Sequence, residues 1–391
     1  MDESALSGVR VADFSRVLAG PLVTMTLGDL GADVIKVEPP RGDDTRQWGP
    51  PHAPDGNATY FLAANRNKRS LVLDLKSKAD QETARRLIQH SDVLVENFRP
   101  GVMDRLGFGW EDAHELNPNL IYCSISGFGR EAGAGMVGYD AVIQAVGGLM
   151  SVTGTPGADP VKAGVAVVDV LAGLNALTGI LAALHARQNG MGGQRVDVSL
   201  LNSVLSALAN HSSAYLNADV VPARVGNAHP SIEPYSTFPT ADGALMLCVG
   251  NDRQFVALCG ALGMPGLAAD TRFATNEARV SHRDELRPVL VTALAGHDRR
   301  HWTSVLSSVG VPCGSVNDLA DAFRMAESLG LKPIDRLDGF ASVRSPIGLS
   351  ATPPRTRLTP PHLDEHGPEL RAWLDGPTST LLPPNSLEKT Q

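Results

Sequence analysis

The sequence predicts an α/β fold built on a parallel, doubly wound sheet, with a smaller second domain. Three observations carry that expectation. Short β-rich runs alternate with segments of helical period through the first third of the chain. At 391 residues the chain is long enough for about two hydrophobic cores. Past its middle, a polar stretch bearing proline and glycine, LNADVVPARVGNAHPSIEPY, breaks the periodicity as a linker would.

Residues 9–40 read as strand, turn, helix, strand: VRVADF, SRVLAGP, LVTMTLGDLGA and DVIKVEP. A second unit follows, with RSLVLDL as a strand, SKADQETARRLIQHS as an amphipathic helix starting at Ser77, and DVLVENF as a strand. The segment 102–116 is helical, and NLIYCSISGF supplies a further strand. Strands that alternate with helices in this way form a parallel sheet covered on both faces. No GxGxxG follows the first strand; Ala19-Gly20-Pro21 stands there instead, so the usual dinucleotide fingerprint is missing. Residues 139–210 are mainly helical, interrupted by the β-like GGQRVDVSL. Beyond the linker, GALMLCVG reads as a strand and 252–330 as helices and turns. The tail 351–391 is rich in proline, with a short helix at GPELRAWL.

Composition excludes several classes. A formal net charge of −8 leaves no footprint for nucleic acid or an anionic membrane, so an anionic ligand must be held by local groups. Cys123, Cys248, Cys259 and Cys313 are far apart and form no CxxC pair, which argues against disulfides and zinc knuckles and fits a reducing cytoplasm. The start MDESALSGVRVADF is acidic and lacks a signal-peptide pattern. No metal, flavin or nicotinamide site is evident, and no tightly bound cofactor is expected.

The stretch VKAGVAVVDVLAGLNALTGILAAL, residues 161–184, is almost wholly apolar yet carries Asp169. Asp169, Gly173, Asn175 and Gly179 interrupt it, which reads as a buried helix rather than a membrane span. Asp is among the best N-cap residues, and an Asp directly before VLAGLNALTGILAAL fits that role. The same place suits a nucleophile, because a helix N-terminus favours the ionised carboxylate. The two glycines leave one helix face thin, for close packing or for ligand approach. Local physics leaves both readings of Asp169 open.

Longer stretches separate them. SRVLAGP with GDLGADVIKVEPP, GDDTRQWGPP, NRNKRSLVLDLKS, DVLVENFRPGVMDRLGFGW, NPNLIYCSISGFG, GYDAVIQAVGGLMSVTG, VPCGSVNDLADA and TPPHLDEHGPEL, in that order, resemble the class III CoA-transferase family. That family includes formyl-CoA and carnitine CoA-transferases and an α-methylacyl-CoA racemase branch. The resemblance implies a large Rossmann-like domain over 1–215, completed by 335–391, and a small α+β domain over 225–330. It also implies two chains interlocked as a homodimer. Acyl-CoA and a carboxylic acid would be the substrates, with Asp169 as the nucleophile that passes CoA through an aspartyl–acyl anhydride and an aspartyl-CoA thioester.

The resemblance assigns the CoA side residue by residue. Leu73, Asp74, Leu75 and Lys76 would line the nucleotide, joined by Asn97, Phe98, Arg99 and Arg105. Leu18 and Ala19 would contribute backbone contacts, and Pro39 falls where some members carry an arginine against adenine. Singly, Lys76 and Arg105 also read as solvated surface charge and Phe98 as core. Gly138, Tyr139 and Asp140 follow in GYDAVIQ; racemase members carry histidine at the place of Tyr139, and a tyrosine is a poor base at neutral pH, which favours transfer. Asp140 either hydrogen-bonds near Asp169 or caps the helix AVIQAVGGLM.

For the acceptor acid, Trp48 and the loop 226–230 with His229 are candidates, although a turn histidine beside proline also serves structure. Arg16, Arg46 and Arg224 could pair with a distal carboxylate, since arginine binds carboxylates bidentately. RVGNAHPSIEPYSTFPTADG is similar to members that use dicarboxylates through succinyl-CoA. The absence of a long glycine loop counts against oxalate or formate. Racemisation and non-catalytic CoA binding stand as the alternatives.

Overall fold

A computed structural model describes residues 4–376. Six parallel strands form the main sheet: β1 (Arg10–Asp13), β2 (Asp33–Glu38), β3 (Lys68–Val72), β4 (Val93–Glu96), β5 (Ile121–Ser126) and β6 (Gln194–Ser199). Their order is β3-β2-β1-β4-β5-β6. The strands alternate strictly between faces, as the pleat requires. Val11, Val34, Val93, Val95, Ile121 and Cys123 pack against the helices Ala19–Asp29, Val167–Gln188 and Leu200–Ala207. Ala12, Ile35, Leu71, Leu94 and Tyr122 face the other way, under the helices Lys78–Gln89, Trp110–Leu116 and Gly367–Asp375. The expected α/β class and doubly wound sheet are therefore observed, and GGQRVDVSL proves to be the sixth strand, paired with β5 from Gln194 to Ser199.

Strand order reverses between β1 and β4, and in such sheets the crevice at the reversal opens beyond the carboxyl ends of the strands. Here the two loops at that point are tied together. Asn97 Oδ1 accepts the Arg16 N–H at 2.8 Å, and Asn97 Nδ2 donates to the Arg16 carbonyl at 2.7 Å.

The helix Val167–Gln188 is apolar and long enough to cross a membrane by composition, with a mean hydropathy of 1.9. In the structure, Val168, Ala172, Ala176, Ile180 and Ala183 pack one face of it into the core beside the sheet. Its start differs from the expectation, because the helix begins at Val167 after Ala166, which places Asp169 inside the first turn rather than at the cap.

The chain divides into two compact units. One takes the chain up to Leu149, Ala163–Ala218 and the chain from Lys332 on; the other takes Met150–Lys162 and Asp219–Leu331. Residues 150–162 thus leave the large unit to which the 1–215 boundary assigned them. They are held by the Gly226 N–H on the Gly154 carbonyl at 3.0 Å and by Arg224 Nη2 on the Ala158 carbonyl at 2.9 Å. The second unit is α+β, with the antiparallel strands β7 (Tyr235–Thr240), β8 (Gly243–Cys248) and β9 (Cys313–Ser315) closing over Phe238, Leu247, Phe255, Leu290 and Trp302. Residues 377–391 of the expected C-terminal completion lie outside the described residues.

Candidate active site

The crevice at the strand reversal holds a cavity of about 250 Å³. Its walls are the turn after β1 (Arg16 to Ala19), the loop after β4 (Asn97 to Pro100), the segment after β5 and the stretch Met136 to Tyr139, with Asp169 among them. Gly138 is required at this point. A Cβ there would stand 2.9 Å from the Phe128 ring and 3.1 Å from the Ile143 side chain.

Asp169 is the third residue of its helix, and the cap comes from another element. Asp140 Oδ1 accepts the N–H of Val168 at 2.8 Å and of Asp169 at 3.1 Å. Asp140 is itself held, since Gln144 Nε2 donates to its Oδ2 at 2.5 Å and Gln144 Oε1 accepts the Ala163 N–H at 2.8 Å. Of the two roles open to Asp140, the structure contains the hydrogen bond beside Asp169; the backbone of Tyr139 occupies the N-cap of the helix Asp140–Val146. The shift of Asp169 runs opposite to the one a helix N-terminus alone would give. Burial, and then the charge of Asp140, push its carboxyl up to about 7. The helix-end N–H groups that would have favoured the anion are already taken by Asp140.

Tyr60 was not singled out in the sequence. Its phenol is raised by burial and then by the charges of Asp169 and Asp140, so it lies within their field. Trp48, a candidate acceptor residue, meets Tyr60 edge-on with ring centroids 5.2 Å apart. The local sequence shows only an aromatic pair there, Tyr60 and Phe61.

A second cavity, of about 320 Å³, shares two wall residues with the first. Pro39, Leu73, Asp74, Leu75, Lys76 and Arg105 line it, and it shares Arg16 and Phe98 with the Asp169 cavity. At the join the Arg16 guanidinium lies 4.9 Å over the Phe98 ring. Its Nη1 stands 3.7 Å from Asp44, a second wall residue of the Asp169 cavity. Lys76 and Arg105 are exposed at the rim. Asp74 is engaged in its own turn, accepting the Lys76 N–H at 3.1 Å. The structure therefore brings Leu18, Ala19, Asn97, Phe98, Arg99, Gly138, Tyr139 and Asp169 to one cavity, and Pro39, Leu73, Asp74, Leu75, Lys76, Phe98 and Arg105 to the other. Asn97 uses its side-chain amide to tie the two loops.

Two acceptor candidates are otherwise occupied. Both arms of the Arg46 fork are on Glu38, at 2.8 and 2.7 Å, its Nη2 also reaches the Pro361 carbonyl, and its guanidinium stacks 3.8 Å over Phe61. That pairing commits the Nε and Nη2 edge of Arg46 to Glu38 rather than to a substrate carboxylate. His229 belongs to the second unit, where its Nδ1 accepts the Ser231 N–H at 3.0 Å and its ring packs on Tyr235. Arg224 lies in that unit too. Among the described residues, no cluster of three His, Cys, Asp or Glu side chains could hold a metal ion.

Comparison with known proteins adds to this geometry. A family model described as CoA-transferase family III matches residues 6–367. The chain is 44% identical to a succinate–glutarate CoA-transferase of Agrobacterium fabrum, covering 97% of this chain and 98% of that protein. It is 39% identical to an acetyl-CoA:oxalate CoA-transferase of Acetobacter aceti, over 95% and 96% of the two chains. A crystal structure of a CaiB/BaiF family protein from Brucella suis superimposes with a TM-score of 0.86 at 42% identity, covering 95% of this chain and all of the other.

Proposed function

The chain belongs to CoA-transferase family III, and on that premise we propose that it moves CoA from succinyl-CoA to a dicarboxylic acid through covalent intermediates on Asp169. The observation that carries this reading is the position of Asp169. Asp169 lines a cavity whose walls at Arg16 and Phe98 also line a second cavity, which on this reading takes the nucleotide.

The deprotonated Asp169 attacks the thioester carbonyl of succinyl-CoA, and the C–S electron pair leaves with CoA as a thiolate. This forms a mixed anhydride. The thiolate then attacks the aspartyl carbonyl, and succinate departs, leaving Asp169 joined to CoA as a thioester. The acceptor carboxylate attacks that thioester, forms a second anhydride and again frees the thiolate. Attack of the thiolate on the acceptor carbonyl restores the Asp169 carboxylate and releases the new acyl-CoA. Thioester and anhydride are similarly activated, so the relay keeps the energy that hydrolysis would dissipate, provided water stays out.

Residue chemistry supports the assignment of parts. Lys76 and Arg105 meet CoA phosphates at the rim of the slot. Arg16, weighed from sequence for the acceptor, lines both cavities, which supports a contact with the CoA arm instead. Tyr139 stands where racemase members carry a histidine, and as a poor base at neutral pH it speaks for transfer over racemisation. The 44% identical relative favours succinyl-CoA with a C5 diacid, and the 39% identical one makes oxalate the acceptor to compare.

A homodimer is part of the proposal. Val142, Val146, Leu174, Leu205, Tyr215 and Leu216 are large apolar side chains left 42–75% exposed on one unit, which suits an interface. The four free cysteines suit a reducing cytoplasm.

The experiment is intact-protein mass spectrometry after incubation with succinyl-CoA, followed by peptide mapping. A CoA adduct on Asp169 that is absent from Asp169→Ala is the expected result. Deuterium exchange at the acyl α-carbon with no adduct would instead indicate the racemase.

A further inference from the structure

Beneath the turn that walls the Asp169 cavity lies a set of charges sealed from solvent. Asp13, Lys36, Asp43 and Lys68 are each 0% exposed. Each lysine pairs with an aspartate and also reaches a carbonyl of the turn. Lys36 Nζ donates to Asp43 at 2.9 Å and to the Ser15 carbonyl at 3.1 Å. Lys68 Nζ donates to Asp13 at 3.1 Å and to the Pro21 carbonyl at 2.9 Å. The aspartates grip the turn in the same way. Asp13 Oδ1 accepts the N–H and hydroxyl of Ser15 at 3.0 and 2.5 Å, and the Asp43 carboxylate faces the Val17 N–H at 3.3 Å.

Stability alone does not account for this arrangement. Replacing a buried ion pair by apolar groups of similar volume is often neutral or stabilising. What the network does hold is a conformation the turn would not adopt unaided. Val17, a β-branched residue, has φ +69°, a region such residues avoid. Gly20 has no room for a Cβ, which would stand 2.2 Å from the Ser15 Cβ.

The turn is also in backbone contact with the helix of the nucleophile. A Cβ on Gly173, one turn beyond Asp169, would stand 3.0 Å from the Ala19 carbonyl oxygen. Leu18 and Ala19 carry no polar side chain, so the polarity that this part of the wall offers comes from its backbone. The helix Ala19–Asp29 has no side-chain cap at Leu18. The aim of those backbone groups is set by the dihedrals of Val17.

We propose that Asp13, Lys36, Asp43 and Lys68 are positioning residues for CoA transfer, holding the turn Ser15–Pro21 in its reactive conformation against Asp169. The proposal rests on the transfer reading above. Its test compares the rate of CoA-adduct formation on Asp169 from saturating succinyl-CoA in wild type and in the charge-neutral double variant Lys36→Met/Asp43→Asn. CoA affinity by calorimetry and the thermal midpoint are measured on the same samples.

The expected result is an adduct rate lower by about tenfold or more, with CoA affinity within about twofold, because small misplacements at a reacting centre act on rate rather than on binding. If the double variant does not fold, Ser15→Ala, which removes only the hydroxyl held by Asp13, takes its place with a loss of about threefold expected. Equal adduct rates in wild type and the folded variant would overturn the positioning role alone. Wild-type protein that forms no adduct with any acyl-CoA would overturn the transfer reading, and this proposal with it.

Discussion

Asp140 caps the helix that carries Asp169, its Oδ1 accepting the N–H of Asp169 itself at 3.1 Å. One carboxylate thereby takes the hydrogen bonds and the helix-end field that would otherwise have favoured ionisation of the other. Burial raises the Asp169 carboxyl most, the like charge of Asp140 adds to it, and the outcome is a carboxyl raised to about 7. A more basic carboxylate is a stronger nucleophile once deprotonated.

The acid limb of kcat/KM should therefore fall near pH 7, with activity lost as pH drops and Asp169 takes up its proton. Removing the like charge lowers the Asp169 pKa, so Asp140→Asn should move that limb to lower pH. Initial rates from pH 5 to 9 on both proteins check this; a limb that stays in place would show that Asp140 does not tune Asp169.

The same shift has a consequence for stability. The folded-state value of about 7 lies above the ordinary 3.8, so the folded protein binds this proton more tightly than the unfolded chain. The anion is a penalty, largest above pH 7 and fading as pH falls towards 4. Asp169→Asn should accordingly raise the thermal midpoint by on the order of a few degrees at pH 8 and by much less at pH 4.5, while abolishing transfer. Differential scanning at the two pH values decides; an equal change at both would assign the effect to packing.

Arg16 and Phe98 stand where the two cavities meet. Truncating either should weaken acyl-CoA binding, with KM rising by about tenfold and kcat changing less. Steady-state kinetics with succinyl-CoA varied at fixed acceptor measures the split. A fall confined to kcat would place these residues in the chemical step instead.

Arg46 makes the contrary prediction. Arg46→Met leaves Glu38, only 1% exposed, without its bidentate partner, at a cost of about 3–5 kcal/mol in stability. KM for the acceptor acid should remain within about twofold, because the bidentate Nε and Nη2 edge is already held by Glu38. An acceptor KM that rises strongly in the folded variant would return Arg46 to the substrate.

How much was legible in the sequence differs from residue to residue. β1 to β5 could be read because β-branched runs and helical periods are local signals, and β6 showed as a β-like interruption without its place in the sheet. The strand Tyr235–Thr240 was hidden, since Pro239 and a preceding linker composition disguised its alternation. Leu73, Asp74, Leu75, Lys76 and Arg105 could be grouped because their order follows a family pattern, and they line one cavity. Tyr60 could not, because nothing local distinguishes a tyrosine facing a carboxylate from one facing water.

By itself the sequence determined the α/β class, the family and the candidacy of Asp169, all of which depend on near-neighbour periodicity and on motif order. Only the tertiary structure decided the ionisation of Asp169, the partner of Arg46 and the unit to which residues 150–162 belong. Asp140 lies 29 residues from the N–H it accepts, and Pro361 lies 315 residues from the arginine that reaches it. Burial and charge act through space, and separations of that length carry no periodic trace along the chain.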